Sequence, residues 1–234
     1  MPHTRPIALI TAHGQPSAPE APEAALALLA EQVQSQLPGW QIRSATLSTQ
    51  GRFEKEMIEG AVVYPFFMAR GWFVGKVLPK RLGAVPHHLA CPFGLDAALP
   101  ALVADTINSE IAQRGWTNQS YDLLLAAHGS ARGPKAAQAA KDFATALRAL
   151  LPLAQVSTGF VEQNPRVASA ARSLGELALC LPFFAQSGDH SRNDIPKGLE
   201  AAGFSGHLLP VTGALPNVAT LIANAIANTP RAVT

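Results

Sequence analysis

The chain states one pattern twice, which obliges it to fold as two similar halves. Tyr64-Pro65-Phe66-Phe67, Gly71 and Leu78-Pro79-Lys80 recur as Leu181-Pro182-Phe183-Phe184, Gly188 and Ile195-Pro196-Lys197, 117 residues later. His88-Leu89, Gly94, Leu102 and Ile107 recur as His207-Leu208, Gly213, Leu221 and Ile226, at a shift of 119. Ile10-Thr11-Ala12-His13-Gly14 recurs as Leu125-Ala126-Ala127-His128-Gly129, at a shift of 115. Near-constant shifts over three blocks mark an internal duplication. The copies differ where chemistry is concerned. His190 of the second copy stands opposite Phe73 of the first, Asp189 opposite Trp72, and Asp194 opposite Val77. A reactive centre is therefore expected on the second copy.

Two lobes follow, 1–116 (an eroded copy) and 117–234 (the copy with the histidine pair), joined by the polar, turn-rich Gly115–Ser120. Each is long enough to hold a core. Hydrophobic content of 48% and charged content of 15% describe a globular protein. A net charge of +2, without a polybasic run, argues against nucleic-acid binding. Ile7–Ala12 is too short to span a membrane and no small-residue cleavage site follows it, so the expected location is cytoplasmic. Cys91 and Cys180 are unrelated in the repeat and no CxxC occurs, so both read as reduced core thiols.

Apolar runs alternate with helix-forming segments. Strands are expected at Ile7–Ala12, Gln41–Leu47, Ala61–Phe67 and His88–Pro92, then at Asp122–Ala127, Gln155–Phe160, Leu177–Phe183 and His207–Pro210. Helices are expected at Ala21–Leu37, Glu54–Gly60, Gly75–Leu82 and Leu99–Arg114, then at Pro134–Leu151, Pro165–Leu174, Arg192–Ala202 and Leu215–Ala227. The alternation makes an α/β protein of two lobes, each a four-stranded parallel sheet of order 2-1-3-4 flanked by helices. Ligands of such sheets lie beyond the carboxyl ends of the strands. The widest pocket is expected between the lobes, bordered by His128 and His190.

His128 ends the first strand of the second copy, and His190 follows its third. In that strand order the two are neighbours. A histidine pair at adjacent strand ends can ligate a metal and accept protons near neutral pH. Without a third strong ligand it suits a passing metal better than a structural one. Glu162 follows the second strand at the same end; it either relays a proton and assists a cation or serves as an acid at a helix N-terminus. Arg132, Lys135, Arg166 and Arg192, with Arg70, Lys76 and Lys80 of the first copy, make either a basic rim for a polyanion or a solvated surface. Trp72 and Phe73 offer a flat apolar wall for a planar ligand, or lobe packing. His13 is structural or substrate-contacting; His87, His88 and His207 belong to packing in the fourth strands.

Leu124-Leu125-Ala126-Ala127-His128-Gly129-Ser130, Phe160-Val161-Glu162 with Pro165, and Pro182-Phe183-Phe184-Ala185 leading to Gly188-Asp189-His190 and Asp194-Ile195-Pro196 resemble the class II chelatases, which include sirohydrochlorin cobalt- and ferrochelatases. Gly213-x-x-Pro216 completes the set. The resemblance covers most of 120–230 and extends faintly over 5–110. It implies two α/β lobes around a cleft and ATP-independent insertion of Co2+, Fe2+ or Ni2+ into sirohydrochlorin or a related anionic tetrapyrrole, in cobalamin or siroheme biosynthesis. The metal is then substrate, and no permanent cofactor is implied. His128 and His190 would bind the metal and accept pyrrole protons, and Glu162 would assist. Ser130, Arg132, Arg192, Trp72 and Phe73 would contact the macrocycle.

The chain departs from the family pattern in three places. Two-copy relatives often carry the working histidines on the first copy, His13-Gly14-Gln15 has no partner equivalent to His190, and Ala131 separates Ser130 from the arginine. The other class open to this sequence is a non-catalytic metal or tetrapyrrole carrier using the same cleft. An α/β-hydrolase would need a G-x-S-x-G elbow, which is missing. A histidine phosphatase would need Arg before His-Gly, where this chain has alanine.

Overall fold

Pro6 and His13-Gly14 bracket the first apolar run, and the strand between them, β1 (Ile7–Ala12), keeps those bounds. The structure is a computed structural model describing residues 5–130 and 133–231. β1 pairs in parallel with β2 (Gln41–Thr46) on one side and β3 (Ala61–Pro65) on the other. β3 in turn pairs with β4 (His87–Leu89), giving the order β2-β1-β3-β4. Every residue of β3 is buried, as befits a strand covered on both faces. The parallel step from β1 to β2 is made by α1 (Glu20–Gln36), which buries Leu26, Ala30 and Val33 at helical spacing. Pro38 and Gly39 follow its end.

The second sheet repeats the first. β5 (Tyr121–Ala127) lies between β6 (Leu153–Phe160) and β7 (Ala178–Phe183), and β8 (His207–Leu208) forms the far edge. The crossover from β5 to β6 is α5 (Lys135–Leu150), whose apolar face is Ala137, Ala140, Ala144 and Leu147 with Phe143. Both fourth strands are shorter than the sequence suggests. Pro92 and Pro210 lack the amide a longer ladder needs, and a 3-10 turn follows within three residues, at Phe93–Leu95 and Thr212–Ala214.

Two expected helices begin differently. Phe73–Val77 and His190–Asp194 are π-helical turns, and only after them do α3 (Leu78–Leu82) and α7 (Ile195–Ala202) start. Pro79 and Pro196 stand one residue into those helices. A proline there cannot donate, and its ring crowds the carbonyl four residues back. A turn widened to i+5 bonding relieves that crowding. The Leu78 and Ile195 amides accordingly donate to the carbonyls of Phe73 and His190.

The repeat boundary near 116 separates the two sheets, yet the compact units divide elsewhere. One unit comprises the chain up to Asp96 together with Asn217 onward; the other is Ala97–Pro216. The helix after β4, α4 (Leu99–Gln113), packs on α5 in the second unit. The last helix, α8 (Val218–Ala227), packs on α1 and β3 in the first. Each sheet is thus closed by the helix that follows the other sheet. Helical periodicity marks the buried faces of α4 and α8 but not what covers them. Among the described residues no helix is long and apolar enough to cross a membrane.

Candidate metal centre

The β5–β6 ladder continues past its strands. The Val161 amide donates to the Ala127 carbonyl at 3.0 Å, and the Glu162 amide to the His128 carbonyl at 2.9 Å. Main-chain bonding therefore sets His128 and Glu162 side by side. Gly129 turns the chain with φ of 72°, and a Cβ on it would lie 2.7 Å from Cγ of Gln163. Glycine lets Gln163 close in, and its Oε1 accepts the Ser130 amide at 2.8 Å.

Nδ1 of His128 lies 3.0 Å from the Gly129 carbonyl and 3.5 Å from Oε2 of Glu162. Both neighbours are acceptors, so the hydrogen-bond network assigns the proton to Nδ1 and leaves the Nε2 lone pair unused. His190 opens the π-helical turn after β7. Its Nδ1 lies 2.6 Å from Oδ2 of Asp194, at the other end of that turn. The two imidazoles meet edge to face, with centroids 4.6 Å apart and planes at 88°.

His128, Glu162 and His190 each offer one ligand atom, and the three atoms lie within 4.8 Å of one another. The side chains of all three keep more than a third of their surface exposed. Two imidazoles and one carboxylate in an open setting can hold a divalent cation while leaving positions for other ligands. A site of this kind captures a metal without enclosing it.

The other anticipated residues are placed as follows. Ser130 is half-buried on the same loop, and Arg192 is exposed on the π-helical turn. Arg132 lies outside the described residues. In the first unit Trp72 is 56% exposed, whereas Phe73 is half-buried, its ring tilted against that of His13 with centroids 3.8 Å apart. Arg166 donates to the Val161 carbonyl and, with Val161, Val167, Asp194 and Gly198, borders a concavity of about 380 Å³. Neither His128 nor His190 borders that concavity. Asp194, which borders the concavity, also meets His190. The Asn164–Pro165 bond beside it is cis.

The CbiX family model matches residues 122–229. A solved structure described as CbiX, the terminal enzyme for biosynthesis of siroheme in denitrifying bacteria, is 39% identical to this chain. The match covers 98% of this chain and 100% of that one, with a TM-score of 0.88. The chain belongs to the CbiX family of class II chelatases. As a chelatase it is an enzyme, a lyase by reaction class. Two lower-identity structures share the chelatase fold. SirB from Bacillus subtilis with Fe3+ is 15% identical over 96% of this chain and 95% of its own, at a TM-score of 0.75. The sirohydrochlorin chelatase SirB from Bacillus subtilis subspecies spizizenii, in complex with cobalt, is 16% identical over 96% and 94%, at 0.69. No curated protein matches the chain.

Two residues of this chelatase escaped the sequence reading. Asp194 stands in the Asp194-Ile195-Pro196 segment and opposite Val77, with no role attached to it; its i,i+4 spacing from His190 is the signal that names its partner. Gln163 carried no signal, because nothing in a sequence shows a side chain reaching back to a loop amide 33 residues away.

Proposed function

We propose that this chelatase inserts a divalent metal, Co2+ or Fe2+, into sirohydrochlorin or a closely related tetrapyrrole, without ATP, in cobalamin or siroheme biosynthesis. The observation that carries the reading is the gathering of His128, Glu162 and His190 within 4.8 Å. Its relatives point the same way: the CbiX structure is described as a siroheme enzyme, and the SirB structures hold Fe3+ or cobalt.

The reaction exchanges two pyrrole N–H protons for one M2+. His128 and His190 bind the incoming cation through Nε2 and help strip its water. As the macrocycle nitrogens take the metal, the imidazoles and Glu162 accept the two protons. Weak, open ligation favours transfer, because a cation held by a closed four-ligand site would stay in the protein. Ser130, Arg132 and Arg192 meet the carboxylate arms of the substrate. The two unpaired cysteines, Cys91 and Cys180, suit a reducing compartment, and we place the protein in the cytoplasm.

Anaerobic incubation with sirohydrochlorin and Co2+, Fe2+ or Ni2+ in turn, followed by absorbance, tests the reading. Protein-dependent appearance of the metallated spectrum is expected with Co2+ or Fe2+. Binding of sirohydrochlorin or metal with no acceleration by any metal would replace the enzyme with a carrier.

A further inference from the structure

We infer that Asp194 is a positioning residue for His190: its carboxylate holds the Nδ1–H of that imidazole and so presents the Nε2 lone pair to the metal. The inference rests on the chelatase reading of the same site and adds a residue to it.

Three observations support it. The Nδ1–Oδ2 separation of 2.6 Å is short, as for a hydrogen bond to an ionised acceptor. An ionised carboxylate only accepts, so the proton shared with it belongs to Nδ1 and the second ring nitrogen is left with its lone pair. Carboxylates behind metal-binding imidazoles fix tautomer and ring direction in just this manner. The π-helical turn supplies the geometry. It begins at His190 and ends at Asp194, and Ser191 within it is buried, its hydroxyl donating to the Gly188 carbonyl. Both members of the pair are thus carried on an anchored turn.

The first copy provides the control. Its own π-helical turn, Phe73–Val77, has the same length and precedes the same kind of proline-bearing helix. There Phe73 replaces His190 and Val77 replaces Asp194, so the imidazole and its carboxylate are missing together. All five residues of the turn differ between the copies, and the joint loss of imidazole and carboxylate agrees with the Nδ1–Oδ2 contact of 2.6 Å in the second. The turn survives in both copies, so Asp194 is not required to build it.

Asp194→Ala and Asp194→Asn separate the possibilities. The side chain is 46% exposed, and unchanged thermal unfolding is expected in both. Long-range proton–nitrogen spectra of the histidines, taken where imidazole is neutral, should show His190 of the wild type as the Nδ1–H tautomer. D194A should move it toward Nε2–H, and D194N, which keeps an oxygen acceptor, should restore Nδ1–H at least in part. Titration with Co2+ alone, followed by its visible absorption, should show about 10–100-fold weaker binding in D194A. With sirohydrochlorin, kcat should fall while KM for the macrocycle stays constant. Wild-type tautomer and Co2+ affinity retained in D194A would overturn the inference, as would D194N indistinguishable from D194A. A wild type that metallates nothing would overturn the chelatase reading alone, because the tautomer and Co2+ measurements still decide the role of Asp194.

Discussion

Phe73 packs against His13 with ring centroids 3.8 Å apart and planes at 36°, at the positions where the second copy sets His190 against His128 at 4.6 Å. The equivalence is fixed by main-chain bonds: the Ser48 amide donates to the His13 carbonyl as the Glu162 amide does to that of His128. The three donors His128, Glu162 and His190 therefore correspond to His13, Ser48 and Phe73. The first copy retains one ligand of three and closes a ring over it.

His190→Ala is accordingly expected to lower the metallation rate by about 10²–10⁴, the usual loss for a positioned proton acceptor. His13→Ala should have a much smaller effect. Initial rates with sirohydrochlorin and Co2+ measure both; comparable losses would move the reactive centre out of the second copy.

Gly129→Ala should be damaging without touching a ligand. The backbone there has φ of 72°, and the added Cβ would meet Gln163 at 2.7 Å. A non-glycine residue in that conformation costs on the order of 1–3 kcal/mol. Urea denaturation should show the loss, and metallation should fall further than stability alone requires, because Ser130 loses its Gln163 partner. Wild-type urea midpoint and rate would show that the loop rearranges freely.

The cysteines should be slow toward iodoacetamide. Cys91 is exposed rather than in the core as its apolar segment suggested, yet partial desolvation, with Asp96 adding to it, pushes its thiol above its usual range; deep burial raises that of Cys180. The thiolate is the reactive form, so fewer thiolates exist at neutral pH than in free cysteine. Native protein should label at most at Cys91, faster as pH rises, and at both thiols after unfolding. Rapid labelling at neutral pH would contradict the assigned environments.

Hydrogen bonds from the Arg81 guanidinium hold the Glu54 carboxyl below its usual range. A lowered native value means that the pair stabilises the fold above the unfolded carboxylate range and loses that effect as pH falls through the native value. The pair is partly exposed, so Glu54→Gln should cost below about 1 kcal/mol at neutral pH. The difference between the urea midpoints of wild type and variant should vanish in acid. A difference that grows as pH falls would reverse the assigned sign.

What the sequence discloses follows physical lines. β1 is legible to the residue because Pro6 and His-Gly delimit an unbroken apolar run. β4 and β8 are overestimated because composition does not show where an edge ladder runs out of donors. The neighbourhood of His128, Glu162 and His190 is foreseeable, since strand ends in a parallel sheet of known order must be adjacent. The π-helical turns are not, although Pro79 and Pro196 are their cause. Hydrophobic periodicity names the buried face of α8 without naming α1 as its partner.

That pairing of α1 with α8 sets an order on synthesis. Residues 26 to 33 leave the ribosome long before the helix that covers them, which carries buried Leu221, Ile222 and Ile226. Every element of Ala97–Pro216 has emerged by then, so the half translated first is the half completed second. Until that moment the apolar face of α1 lacks the helix that covers it, and apolar surface exposed in this way favours aggregation. A chain released through Pro216 but not yet through α8 displays a complete second unit attached to an unfinished first one.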